Sequence, residues 1–230
     1  MLFRSLTGED GYRDAVERDP GSLRIALSWQ TPLGRPLMDR QRGAAVKQTA
    51  QRLRDLGHQV TVAAPKLGTR PLPQFVVRFT GSVADDVRTL AHPEWIEPRT
   101  RGVARIGARL TGAMARMEAG MAELDTRMAD FFTGYDVVLQ PALNWRPAKI
   151  GRYHGRGALA TMFGSSFEIS YFPMWNVLGL PVAAMPVGRD TTGLPMAVQL
   201  AGPAGGERRL LSLAAQYERA HPWHQERPEI

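Results

Sequence analysis

Residues 173–203 read PMWNVLGLPVAAMPVGRDTTGLPMAVQLAGP. Two apolar runs, 180–187 and 196–201, flank a turn built from Arg189, Asp190, Thr191, Thr192, Gly193 and Pro195. Runs of this length with turn chemistry between them predict a strand pair. Val182, Ala183, Ala184 and Met185 carry no polar group, the pattern of a strand buried on both faces. Pro181 and Pro186 offer no N–H to a ladder, so they fit only at the strand's ends or on an edge. Ahead of the pair, Asn176, Gly179 and Pro181 predict a tight loop. Behind it, a Gly/Pro turn leads into an amphipathic helix. Glu207 is favoured by the dipole at its start, and Leu210, Leu211, Leu213, Ala214 and Tyr217 form its buried face.

Working outward, 23–29 alternates as a strand, with Leu23, Ile25 and Leu27 on one face. A helix follows, with Asp39 at its N-cap. Val46, Ala50, Leu53 and Leu56 line its inner face, and Gly57 suits the left-handed position after its end. The run 59–64 is the next strand. Strand, helix, strand at these lengths predicts a βαβ unit, two parallel strands joined by a right-handed crossover. Phe75, Phe79, Val83, Val87 and Leu90 then recur at helical spacing, and 91–101 reads as a loop broken by Pro93 and Pro98. Between 102 and 133 a seam of Val103, Ile106, Leu110, Met114, Met117, Met121, Leu124, Met128 and Phe131 predicts one long helix. That seam lines the underside of a sheet in a globular fold or pairs with another helix as a dimer interface. A buried strand at 135–139, a loop over 144–157 and a short helix over 158–171 return the chain to its starting stretch. The fold class is α/β, a mixed β-sheet wrapped by helices, incomplete in this chain. Residues 1–22 read as the end of a truncated helix (Leu2, Phe3 and Leu6 on one face) followed by a linker, and 23–230 as the main unit.

The chain has 230 residues, a net charge of +7 and no cysteine. Lacking cysteine, it has no disulfide framework and no thiolate metal site. No apolar run approaches the roughly 18 residues that span a bilayer, and no basic segment with a long apolar core opens the chain. A cytoplasmic protein without membrane contact is the expectation. The positive charge is nearly all arginine, with only Lys47, Lys66 and Lys149 as lysines. It is scattered among acids and joins no nucleic-acid motif, so no nucleic-acid partner is expected.

The side chains that could carry chemistry do not assemble into a set. Gly164, Ser165 and Ser166 suggest a nucleophile turn, but Phe163 and Phe167 flank them, no second glycine follows, and no base lies nearby. They read as polar positions on a short helix. Of the five histidines only His221 and His224 are close, too few for a metal site. Asp136, Glu168 and Glu207 read as lone carboxylates, and Lys149 carries no burial signal. No catalytic residue, metal or cofactor is assigned.

The order of motifs nevertheless resembles the C-terminal half of the amidase-signature family of serine hydrolases. The resemblance runs through Leu23, Arg24, Ile25 and Ala26, then LGHQV at 56–60 and FTGYDVVLQP at 132–141. It is densest in WNVLGLP at 175–181, MPVG at 185–188 and GLPMAVQL at 193–200. It closes on Gly202 and Pro203, Glu207 with Leu210 and Leu211, and HPW at 221–223. The resemblance implies carboxamide hydrolysis through an acyl-serine intermediate, with a Ser–cis-Ser–Lys triad in a GGSSGG-like segment and an upstream lysine that this chain lacks. It therefore implies a chain inactive alone, acting on a small-molecule amide when completed by an N-terminal half. Phe172, Trp175, Asn176 and Gly179 would form one wall of the acyl pocket. Glu168 and Ile169 stand where glutamine-using members carry an aspartate, which implies a plain amidase. The alternative is a non-catalytic subunit or remnant, a structural partner of a separate N-terminal half, with a homo-oligomer or hetero-partner as its assembly.

Overall fold

A computed structural model describes residues 12–223 apart from 33, 35, 67, 70, 119 and 120. Side chains at 111 and 113–118 are likewise outside the description. The helix end predicted at Leu2, Phe3 and Leu6 lies outside the described residues, as do Met114 and Met117 as side chains and His224 entirely.

The strands are β1 (Arg24–Leu27), β2 (Gln59–Val62), β3 (Val137–Pro141), β4 (Val182–Arg189) and β5 (Pro195–Ala201). The helices are α1 (Tyr12–Glu17), α2 (Arg40–Asp55), α3 (Pro71–Thr89), α4 (Pro98–Glu118), α5 (Met121–Gly134), α6 (Ala158–Ser166), α7 (Pro173–Leu178) and α8 (Glu207–Ala220). The strands make one mixed sheet in the order β2-β1-β3-β5-β4. β1 pairs in parallel with both β2 and β3, and β5 runs antiparallel between β3 and β4.

The βαβ unit forms as its sequence predicts. The Asp39 carboxylate accepts from the backbone N–H groups of Gln41 and Arg42 and so satisfies two orphan donors of α2. Gly57 turns the chain out of the helix at a φ of 92°. Val46, Ala50 and Leu53 of α2 and Leu210, Leu213 and Tyr217 of α8 pack on Ile25, Leu27, Val137, Leu139, Val198 and Leu200. Each fully buried aliphatic side chain there contributes about 1.5–3 kcal/mol by leaving water. Strand alternation puts Ala26, Val138 and Ala201 on the opposite face, under Leu124 and Met128 of α5 and Met174 and Trp175 of α7. Helices thus cover both faces.

Four expectations change. The 182–185 run is not a doubly buried strand. β4 is the outer strand of the sheet, and only Met185 along it is buried. Pro186 stands where the ladder shifts register, between Pro186 and Gly188, as an edge position permits. The 176–181 segment is less a loop than a helix end, because α7 runs to Leu178 and Gly179 caps it in the left-handed conformation at φ 62°. The α4 helix starts at Pro98, inside the predicted loop, with the 3-10 turn Pro93–Trp95 before it. Finally, the 102–133 seam divides between α4 and α5. Only its second part, Leu124 and Met128, lines the sheet, while α4 packs along α3. A Cβ on Gly107 would lie 1.9 Å from the Thr80 carbonyl oxygen, so glycine is what lets these two backbones meet. Of the described seam side chains, Val103, Leu124 and Met128 are buried and Ile106, Leu110, Met121 and Phe131 half-buried.

Candidate functional site

α7 packs on the second face of the sheet and, with its caps Phe172 and Gly179, holds the four residues expected to face a pocket. Its entry is held by Tyr171, whose hydroxyl donates to the Trp29 carbonyl just beyond β1 (3.0 Å). Trp175, in the middle, is only 2% exposed. Its indole Nε1–H donates to Gln140 Oε1 at 2.9 Å. Gln199 Nε2 donates to the same oxygen and to the Tyr171 carbonyl. Gln140 Nε2 in turn donates to Ser28 Oγ and the Gln30 carbonyl. Three neighbouring strands therefore each supply one polar side chain or strand-end group to a buried network beneath α7. A buried amide of this kind is costly unless it is bonded, and the Gln140 donors and acceptor are all used.

The predicted wall residues are separated by this arrangement. Phe172 is half-buried where α7 begins, Trp175 lies in the interior, and Asn176 and Gly179 are exposed. Trp175 is thus a core side chain of this unit, and its indole faces Gln140. Sequence reasoning missed Gln140, Gln199 and Ser28 as a group. The signal was present in Gln140 and Gln199, lone polar residues inside the apolar strands VVLQP and PMAVQLA.

A cleft of about 990 Å³ opens at the C-terminal ends of the parallel strands β1 and β3. Its walls include Asp39, Trp145, Arg146, Lys149, Phe167 and Glu168. This is the end at which α/β sheets hold ligands. Asp190, in the β4–β5 turn, organises one side. Its Oδ1 accepts from the backbone N–H groups of Thr192 and Leu194 and from the Thr192 hydroxyl. Its Oδ2 meets Arg146 Nε at 3.1 Å and Arg42 Nη2 at 3.6 Å. The Thr192 hydroxyl first, with the Thr192 and Leu194 backbone donors and the Arg146 charge, outweighs the cost of burial and holds the carboxyl down to about 2. Across the cleft, Glu168 accepts from the Tyr153 phenol (3.2 Å) and pairs with Arg152 at 3.0 Å. Burial first, then the Glu168 charge, raises the Tyr153 phenol above its ordinary range. Asp136, the residue before β3, is bound by Arg24 at 3.1 Å and Arg209 at 3.6 Å. Chiefly the Arg24 hydrogen bond lowers its carboxyl. Asp136 and Glu168 are therefore paired, not lone.

No acyl-transfer set forms around the cleft among the described residues. Ser165 and Ser166 both turn their hydroxyls back to the Met162 carbonyl, at 3.2 and 2.6 Å, the local bonding typical of serine on a helix. His58 is buried elsewhere, accepting from the Leu23 N–H and bonding Gln216 Oε1. No group of three His, Asp or Glu side chains could hold a metal among the described residues, and no helix there is long and apolar enough to cross a membrane.

The sequence matches the Amidase family over residues 4–211. The protein named Putative amidase AmiB2 of Mycobacterium tuberculosis (strain ATCC 25618 / H37Rv) is 40% identical over 229 residues, covering 98% of this chain and 50% of that protein. The 6-aminohexanoate-cyclic-dimer hydrolase of Pseudomonas sp. (strain NK87) is 27% identical over 252 residues, with 99% and 50% covered. A solved structure of 6-aminohexanoate cyclic dimer hydrolase superposes with a TM-score of 0.84 at 26% identity, covering 99% of this chain and 51% of that one. The chain spans about half the length of the curated relatives it matches.

Proposed function

The chain belongs to the Amidase family, and from that premise we propose that it supplies the C-terminal half of a hydrolase of small-molecule amides. The observation that carries this reading is the family match over residues 4–211, together with a relative of which the chain covers 50%. In this reading the attacking serine, its partner serine and the lysine come from the other half, and the reaction is carboxamide C–N cleavage through an acyl-serine. This half contributes the β1–β3 scaffold and the network that fixes α7, so that Phe172, Asn176 and Gly179 stand at one wall of the acyl pocket with Trp175 bracing them from behind. Residues up to 22 act as the connection to the other half, and 23–230 as this half's own folding unit. The names of the relatives point to substrates of the linear or cyclic amide class.

Without its nucleophile an amidase retains at best transition-state binding, so the purified chain alone is expected to leave simple amides and 6-aminohexanoate cyclic dimer unhydrolysed. Amide turnover by the chain alone that disappears in Ser165→Ala would overturn this reading. Supplying the N-terminal half of a relative in trans is the complementary assay, with recovered hydrolysis as the expected result.

A further inference from the structure

The cleft at the C-terminal ends of β1 and β3 has walls fixed by bonds from several elements. The Asp39 backbone N–H donates to the Asn144 carbonyl at 2.8 Å, and the Asn144 N–H donates to the Glu168 carbonyl at 3.2 Å. Gln41 Nε2 donates to the Thr191 hydroxyl and Gln41 Oε1 accepts from the Thr191 N–H, which ties α2 to the β4–β5 turn. The 145–157 loop, WRPAKIGRYHGRG, is pinned by Arg146 on Asp190 and by Arg152 on Glu168. Tyr153 lies against Gly164 of α6, where a Cβ would come within 2.9 Å of the ring. Between the two arginine pins the Arg152 N–H donates to the Lys149 carbonyl at 3.0 Å, with Gly151 at a φ of 83°. Lys149 and Ile150 therefore stand at the tip of a fixed turn. A ligand meeting such walls has little ordering of the protein to offset.

The charges of the cleft do not balance. Its carboxylates are engaged: Asp39 by the α2 N–H groups and Arg42, Glu168 by Tyr153 and Arg152. Asp190 beside it is engaged by its own turn and by two arginines. Lys149 lines the cleft and has no ion-pair partner among the described residues. Arg146 uses its Nε and Nη2 and Arg152 its Nη1, so each guanidinium keeps further N–H donors. Beside these cations Trp145, Ile150 and Phe167 line the same cleft and are all exposed. The Phe167 ring meets Phe163 edge to face, 5.1 Å between centroids, instead of the core. A neutral ligand would leave Lys149 unmatched, and a bare anion would leave the apolar side chains in water.

We propose that this cleft binds a small organic carboxylate with an apolar body. Lys149 and the remaining N–H groups of Arg146 and Arg152 take the carboxylate, and Trp145, Ile150 and Phe167 cover the body. A volume of about 990 Å³ accommodates such a molecule. None of the four residues assigned to the acyl-pocket wall lines the cleft. The inference goes beyond the half-enzyme reading, because the residues that make this site are all in the chain.

The test is calorimetric titration of the full chain at pH 7 with 4-phenylbutyrate and with 4-phenylbutyramide, which keeps the shape and removes the charge. The acid should bind at least about tenfold more tightly than the amide. Lys149→Gln should shrink that ratio and Lys149→Glu should erase it, whereas Phe167→Ser should weaken both ligands alike. Both positions are exposed, so melting midpoints should match the wild type. Inorganic phosphate at the same concentration should not displace the acid. Equal binding of acid and amide overturns the proposal, as does no binding of the acid or a preference that Lys149→Glu leaves intact. Displacement by phosphate also overturns it, since the apolar body would then contribute nothing. The readout is binding and not hydrolysis, so failure here and failure of the half-enzyme reading are separate results.

Discussion

The two faces of the sheet are built from the same strands and differ in kind. Toward α2 and α8 the strands present Ile25, Leu27, Val137, Leu139, Val198 and Leu200, branched aliphatics that interdigitate with helix side chains. Toward α5 and α7 the same strands present Ala26, Ser28, Val138, Gln140, Gln199 and Ala201, small or polar and still buried. On β4 the first face is covered around Met185, whereas Val182 and Ala184, on the second, are exposed. The first face gains stability from area and shape, which any close-packed apolar set provides. The second face trades some of that for a hydrogen-bonded orientation of α7, the helix that carries the proposed pocket wall. The comparison separates scaffold from site within one sheet.

The largest break in that comparison is expected on the apolar face. Leu139→Ala should cost about 3–4 kcal/mol, since the residue is fully buried and its neighbours cannot collapse into the space. Urea denaturation of the purified chain measures it. On the polar face, Gln140→Leu should cost about 2–3 kcal/mol, chiefly by orphaning the Trp175 and Gln199 donors. Trp175→Phe, which removes a donor but leaves Gln140 bonded to Gln199, should cost about 1–2 kcal/mol. The double variant should cost less than the two losses summed, because the orphaned indole is gone. Additive losses would mean that the network does not hold α7.

The Asp190 clamp joins the β4–β5 turn to α2 and to the 145–157 loop and makes a pH test. Its carboxyl titrates at about 2 in the folded chain against an ordinary 3.8. Folded protein therefore binds this proton more weakly than unfolded protein. The clamp's contribution is complete above about pH 4 and is lost as pH falls through about 2. Asp190→Asn should lower the urea midpoint at pH 6, and the gap to wild type should narrow between pH 4 and pH 2. A gap that stays constant over that range would remove the carboxylate from the argument. Smallest of all, Ser165→Ala should move stability by no more than about 0.5 kcal/mol, since its hydroxyl only returns to the Met162 carbonyl. It should leave the activity of a reconstituted enzyme unchanged.

Much of this was legible beforehand wherever the controlling interactions are local. Asp39 announced the start of α2 because a cap bonds residues two and three positions on. Pro186 allowed a strand end or an edge, because a residue without an N–H cannot bond to neighbours on both sides. Asp190 was read only as a turn residue. Its Asx-type bonding to Thr192 is local, but the arginines it binds, Arg42 and Arg146, are far away in sequence. The uncharged run 182–185 suggested burial on both sides. That reading failed because composition reports what a strand can tolerate, not whether a neighbour lies beside it in this chain. The seam at 102–133 likewise has unbroken helical spacing, which says nothing of a change of partner between α4 and α5.

By itself, then, the sequence determined most of the elements, the parallel βαβ unit, the hairpin and the family. These follow from spacing, caps, turns and the order of motifs, all written along one dimension. Only the tertiary structure decided that Gln140 and Gln199 meet under Trp175, that Asp190 closes on Arg42 and Arg146, and that Phe163 and Phe167 stay in solvent. Each of these depends on contacts, or their absence, between residues separated by tens of positions. The stretch at 173–203 shows both: its chemistry marks the hairpin, and its place at the sheet's outer edge is set by β3, which pairs with β5 and leaves β4 outermost.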